Sequence, residues 1–142
     1  MVILDTDVLS ALMRETPQSQ VVAWLDRQPR TSIWTTSVTI LEIQFGLQIM
    51  AAGKRRSLLV LAFETMLGMM EHRIASFDAA AAAQAADLMA ERKRGGRPGD
   101  LRDTMIAGIA LARHAALATR NTRHFEDLSV RLVNPWATSA DL

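Results

Sequence analysis

The feature that most limits what this chain can become is the rhythm of its short strand-like runs. Residues 2–4, 31–37, 72–77, 115–119 and 130–133 are rich in β-branched, aromatic or apolar side chains and are too short to be core helices. The first four runs are separated by segments with helical periodicity, one after Asp5, then 17–28, 38–50, 54–70, 78–94 and a last one from Asp100. This alternation predicts an α/β fold with a central, mostly parallel sheet of four to five strands. Helices cover both faces and the crossovers are right-handed. Val2, Ile3 and Leu4 follow one another without a polar break, as a strand buried on both faces requires. A chain of 142 residues is long enough for one real core, so residues 1–142 are expected to form a single domain.

In such a sheet, the carboxyl ends of strands and the amino ends of the following helices lie along one edge, where ligands collect. Four polar residues are expected there. Asp5 closes the first strand. Two readings of it are open, a cap (shared with Thr6) for the helix that carries Val8, Leu9 and Leu12, or a site residue. Glu42 lies in the helix that Ser37 is expected to cap, on one helical face with Val38, Phe45 and Ile49, while Gly46 leaves open space one turn on. A carboxylate in apolar company needs a cation, a metal or a catalytic purpose, a buried salt bridge to an arginine being the structural alternative. Asp103 is third in a helix capped by Asp100 and is in register with Ile106, Ala107 and Ala110; it is either a site residue or an acid that favours the helix dipole. Asn121 closes the fourth strand. Three carboxylates in one cleft repel one another unless a divalent cation sits between them. Oxygen ligands without cysteine or a histidine pair favour Mg²⁺ or Mn²⁺ over zinc.

Composition narrows the field. A net charge of +1 excludes a polycation, so affinity for nucleic acid must come from local patches. One such patch is Arg92-Lys93-Arg94-Gly95-Gly96-Arg97-Pro98-Gly99, a basic loop whose fate is solvent or phosphate. The absence of cysteine excludes disulfides and thiolate zinc sites. The start of the chain lacks the basic and cleavable regions of a signal peptide, and the apolar run 58–63 falls well short of the roughly 20 residues of a membrane span; a cytoplasmic protein is expected. The helix from Lys54 through Met70 is apolar on more than one face, which predicts self-association or a partner surface. The alanine-rich helix before Arg94 is accounted for by propensity.

Four segments together resemble a known family. Ile3-Leu4-Asp5-Thr6-Asp7-Val8-Leu9-Ser10, Ser37-Val38-Thr39-Ile40-Leu41-Glu42-Ile43-Gln44-Phe45-Gly46, Arg102-Asp103-Thr104-Met105-Ile106-Ala107-Gly108 and Thr119-Arg120-Asn121-Thr122-Arg123-His124-Phe125 are similar, in order, to the motifs of the PIN domain. The likeness is to VapC toxins of bacterial toxin–antitoxin pairs, including their FitB-like branch, and it covers essentially the whole chain. It implies a PIN-like fold and a Mg²⁺-dependent endoribonuclease held in check by a VapB-type antitoxin. It also implies that Asp5 and Asp103 are the principal metal ligands, with Glu42 as the third acid and Asn121 at the fourth position. That position is often Asp, so its charge is missing here and a second metal is in doubt. Asp7 stands where Asn is common, and His124 where many members carry an acid.

The implied chemistry is metal-assisted hydrolysis, with Glu42 orienting or deprotonating the attacking water. Rim arginines Arg97, Arg102 and Arg123 would hold the RNA backbone. With three tryptophans and four phenylalanines, base stacking is limited, so recognition of a structured RNA loop by shape is expected. Two other readings exist. Asp5-Thr6-Asp7 after a strand also resembles the start of a haloacid-dehalogenase-like phosphatase, but Leu9 and the poor context of Lys54 and Lys93 fit it badly. A non-cleaving RNA- or protein-binding PIN-like module would have no reason to cluster acids against a polyanion. A homodimer through the 58–70 helix or the elements beside it is expected, or with the antitoxin a larger toxin–antitoxin hetero-oligomer.

Overall fold

The computed structural model describes residues 1–137. Its elements run β1 (Val2–Leu4), α1 (Thr6–Leu12), α2 (Ser19–Asp26), β2 (Ile33–Thr36), α3 (Ser37–Ile49) and α4 (Lys54–Met69). They continue as β3 (Ile74–Ala75), α5 (Ala79–Arg94), α6 (Leu101–Arg113), β4 (Ala116–Ala118) and β5 (Leu132–Val133). The five strands form one sheet in the order β3-β2-β1-β4-β5, and every pairing is parallel. The strands are shorter than the sequence pattern suggests. A 3-10 turn at Arg30–Ser32 takes the start of the run expected from residue 31, and the edge strands β3 and β5 keep two residues each.

β1 is central because its three residues are apolar on both faces. Val2 and Leu4 join one core cluster with Val8, Leu9, Val21, Trp24 and Phe63, whereas Ile3 points into the other with Ala81, Leu88, Ile106 and Ile109. β2 pairs with one side of β1 and β4, reached after β3, with the other, so the edge crevice falls beyond the carboxyl ends of β1 and β4. The register pairs Leu4 with Ala118, which puts Asp5 beside Thr119.

Three local expectations change. Thr36, not Ser37, caps α3, accepting from the Thr39 amide at 3.0 Å, while the Ser37 hydroxyl accepts from the Phe77 amide at 3.0 Å and ties the end of β3 to α3. The buried side of α3 is Val38, Thr39, Ile43 and Leu47. Phe45 and Ile49 are 56% and 69% exposed and form an outward ridge with Leu41. α3 is apolar nearly all round, so periodicity could not choose its inner face. The alanines of α5 do more than favour a helix. A Cβ at Gly108 of α6 would lie 2.5 Å from the Ala81 carbonyl and 2.8 Å from the Ala85 methyl, so small residues on both helices set their close approach.

Candidate active site

Asp5 is both a cap and the centre of an acidic edge. One carboxylate oxygen accepts from the Thr6 amide at 2.8 Å and caps α1, and the other accepts from the Thr119 hydroxyl at 2.8 Å. Its own amide donates to the Ala118 carbonyl at 2.8 Å, so strand pairing fixes the residue where the chain turns into α1. The side chain is 4% exposed. Burial, reinforced by Asp7 and more weakly by Asp103, pushes its pKa up to about 7 despite the Thr119 and Thr6 hydrogen bonds. Among the described residues no ion pair reaches Asp5.

Asp7 stands one step along α1. Its Oδ2 accepts from the Arg120 amide at 3.1 Å and the Asn121 side-chain amide at 3.4 Å, tying α1 to the segment after β4. Its Oδ1 is buried with no hydrogen-bond partner, and burial raises its pKa. Asn121, exposed at the head of a 3-10 turn (Thr122–Phe125), meets Asp7 through its side chain, while its amide donates to the Thr119 hydroxyl that in turn donates to Asp5.

Glu42 is held by hydroxyls. Thr36 donates to Thr39 at 3.3 Å, Thr39 and Thr6 share a 2.9 Å bond, and Thr6 donates to Glu42 Oε1 at 2.8 Å. Each hydroxyl has one proton, so the chain runs one way and ends on the carboxylate, each bond polarising the next. Thr6 therefore touches Asp5 through its amide and Glu42 through its hydroxyl. Glu42 Oε2 lies 3.8 Å from Arg102 Nε, with the glutamate side chain 21% and the arginine 49% exposed. The arginine alternative for Glu42 is thus partly realised, at the surface rather than in the core.

Asp103 enters from α6, its amide held by Asp100 and its Oδ2 3.2 Å from His124 Nδ1. The histidine that replaces the expected acid consequently contacts an acid of the site. Asp103 also lines a cleft of about 310 Å³ with Arg97, Arg123, His124 and Asp127. Arg97 and Arg123 share this cleft, and Arg102 faces α3 on the other side. Arg92, read from sequence as part of a solvent or phosphate loop, is instead 8% exposed and paired with Asp127 at 2.9 Å.

The fold thus draws Asp5, Glu42, Asp103 and Asn121 to one edge, with Thr6 shared between Asp5 and Glu42 and Thr119 between Asp5 and Asn121. Among the described residues, no three of His, Asp or Glu stand close enough together to grip an ion as they are placed. The donor set nevertheless suits a hard divalent cation: oxygen ligands only, a buried acid without a counter-charge, and an orphaned Asp7 oxygen beside it. Sequence reasoning passed over Thr6, Thr36, Thr39 and Thr119 as ligand-holding groups. Threonines at or just past the ends of β1, β2 and β4 were the available signal, because short hydroxyl side chains there reach across the edge. Asp5 engages both oxygens in hydrogen bonds, which leaves it poorly placed as the nucleophile of the phosphatase reading.

A parallel sheet of this order with acids at the β1–β4 crevice defines an α/β fold with an acidic edge at its topological switch point. The PIN domain family matches residues 2–130. The chain is 37% identical over 137 residues to the VapC ribonuclease Y4jK of Sinorhizobium fredii, covering 96% of this chain and 98% of that one. It is 32% identical to Toxin FitB of Neisseria gonorrhoeae over 137 residues, covering 96% and 99%. The crystal structure of FitAcB from the same organism superposes with a TM-score of 0.88 at 32% identity, over 97% of this chain and 100% of that one. The chain belongs to the PIN domain family.

Proposed function

We propose that this protein is the toxin of a toxin–antitoxin pair, a divalent-metal-dependent endoribonuclease restrained by a VapB-type antitoxin, with residues 1–142 acting as one PIN domain. The observation that carries this reading is Asp5. It is a carboxylate at the switch point of a parallel sheet, its pKa raised first by burial and then by its acidic neighbours, joined through Thr6 to Glu42 and, among the described residues, without a protein cation. Its similarity to a VapC ribonuclease and to Toxin FitB supports RNA as substrate and an antitoxin as partner.

Asp5 and Asp103 would hold the cation, Mg²⁺ or Mn²⁺, with Glu42 as third acid and Asn121 linked to the centre through Asp7. When bound, the cation supplies Lewis-acid polarisation of the phosphate and a lowered pKa for attacking water. Thr119 and Thr6 orient the Asp5 carboxylate. Thr6 occupies Glu42 Oε1, so Oε2, which lies 3.8 Å from Arg102 Nε, is the oxygen that takes the proton of the attacking water. Arg97 and Arg123 hold RNA phosphates along the cleft beside Asp103, whereas Arg102 sets the position of Glu42 as well as meeting the backbone. The outward ridge Leu41, Phe45 and Ile49 lies on α3 beside α4, whose Leu58 and Leu61 are also exposed, and supports the expected homodimer; light scattering of the antitoxin-free protein tests it. No helix among the described residues is long and apolar enough to cross a membrane.

The decisive experiment is cleavage of total bacterial RNA by the purified protein with Mg²⁺, with EDTA and with Asp5→Asn. Discrete ends that require both the metal and Asp5 are expected. Intact RNA under all conditions, with the antitoxin verified absent, overturns the nuclease reading in favour of a binding module.

A further inference from the structure

Arg92 has a placement that capping of α5 does not require. Lys93 and Arg94 in the same last turn are exposed, as basic residues meeting a helix carboxyl end normally are, but Arg92 turns inward. Its guanidinium bridges three segments. Nε and Nη2 donate to the two oxygens of Asp127, both at 2.9 Å, and Nη2 also donates to the His124 carbonyl at 2.8 Å. Nη1 donates to the Thr104 hydroxyl at 3.2 Å, which in turn donates to the Asp100 carbonyl at 2.8 Å. Four of the five guanidinium N–H groups are thereby used, in the fork geometry that lysine cannot reproduce.

The bridged segments are those that carry one side of the candidate site. Asp100 and Thr104 flank Asp103 in the first turn of α6, and His124 belongs to the 3-10 turn that begins after Asn121. No strand pairing joins these two segments; Phe125 shares a core cluster with Ile106 and Ala107 of α6, and among the described residues the polar links between them are the surface contact of His124 with Asp103 and the guanidinium. The Arg92 hydrogen bond holds the Asp127 carboxyl below the usual range, so the pair stays ionised. Gly99 lies against the same group, where an added Cβ would sit 3.0 Å from Nη1.

We propose that Arg92 is a positioning residue that, by clamping the first turn of α6 to the 122–127 segment, sets where Asp103 stands and hence how tightly the acidic edge holds its divalent cation. The inference rests on the nuclease reading above. It assigns the metal no contact with Arg92.

The test uses the full chain freed of antitoxin, as wild type, Arg92→Lys, Asp127→Asn and Gly99→Ala. Mn²⁺ affinity is read by calorimetric titration, kcat and KM on a cleavable RNA at saturating Mn²⁺, and folding by circular dichroism. Arg92→Lys and Asp127→Asn are expected to weaken Mn²⁺ binding about tenfold and to lower kcat, as loss of groups behind metal ligands does, with KM nearly unchanged. Gly99→Ala, which presses on the guanidinium without removing it, should move both quantities the same way by a smaller factor. Folded variants that bind Mn²⁺ like wild type overturn the inference. If Arg92→Lys and Asp127→Asn do not fold, Gly99→Ala decides on the same criterion. A wild type that neither binds Mn²⁺ nor cuts RNA brings down the nuclease reading and the inference with it, whereas a wild type that does both while the variants match it sinks the inference alone.

Discussion

Asp5 and Arg92 are the two ionisable side chains buried among the described residues, and the fold treats them in opposite ways. Arg92 meets a carboxylate and two further oxygens. Asp5 meets two hydrogen-bond donors, but its charged neighbours are other acids. A buried charge with its counter-ion provided is a structural strut. A buried charge left without one is costly in isolation and becomes favourable when a cation arrives from solution. The difference separates the part of the molecule that holds shape from the part that is poised to bind.

The largest effect should come from removing the unmatched charge. Asp5→Asn is expected to lower RNA cleavage by more than about a hundredfold, since several kcal/mol of metal-borne transition-state stabilisation would be lost; single-turnover assays with Mg²⁺ measure it. Breaking the matched pair should instead show in stability. Arg92→Leu removes the guanidinium that ties Asp127, the His124 carbonyl and Thr104 together, and urea denaturation should report a loss of about 2 kcal/mol.

The comparison sharpens with pH. The Asp5 pKa rises from 3.8 unfolded to about 7 folded, so its contribution to stability is complete below 3.8 and is lost as pH climbs to about 7. Metal-free wild type should therefore become less stable over this window, and above pH 7 Asp5→Asn should exceed it by roughly 2 kcal/mol, a gap that closes at pH 4. Thermal melts at several pH values, in EDTA, test this. A wild type as stable as the variant at pH 8 would remove the contrast between the two buried charges. With Mg²⁺ added, wild type should gain in Tm and Asp5→Asn should not. The smallest effect belongs to His124→Ala. Its contact with Asp103 is exposed, so stability should change by at most about 0.5 kcal/mol.

Much of this layout is legible in the sequence. The apolar triplet of β1 and the alternation of strands and helices predicted a parallel sheet because both signals are local. Strand ends and helix starts then placed Asp5, Asp103 and Asn121 along one edge. Glu42 was found by a less secure route. Its apolar neighbours Phe45 and Ile49 face outward, and what holds the carboxylate is Thr6, 36 residues away. Arg92 was misread because a run of basic residues ahead of glycines looks the same whether solvated or folded inward. Only the position of Asp127, 35 residues on, distinguishes the two.

The sequence by itself determined the order of elements, the centrality of β1 and the collection of acids at the carboxyl edge, since each follows from periodicity and chain direction over a few residues. Tertiary structure alone decided which partner each charge received. Thr119 reaches Asp5 across 114 residues, the threonine chain reaches Glu42 from β2, and Arg92 finds Asp127 across the sheet's flank. Side chains of the same type differ in role here because the fold brings a counter-charge to one and withholds it from another, and no local pattern encodes that choice.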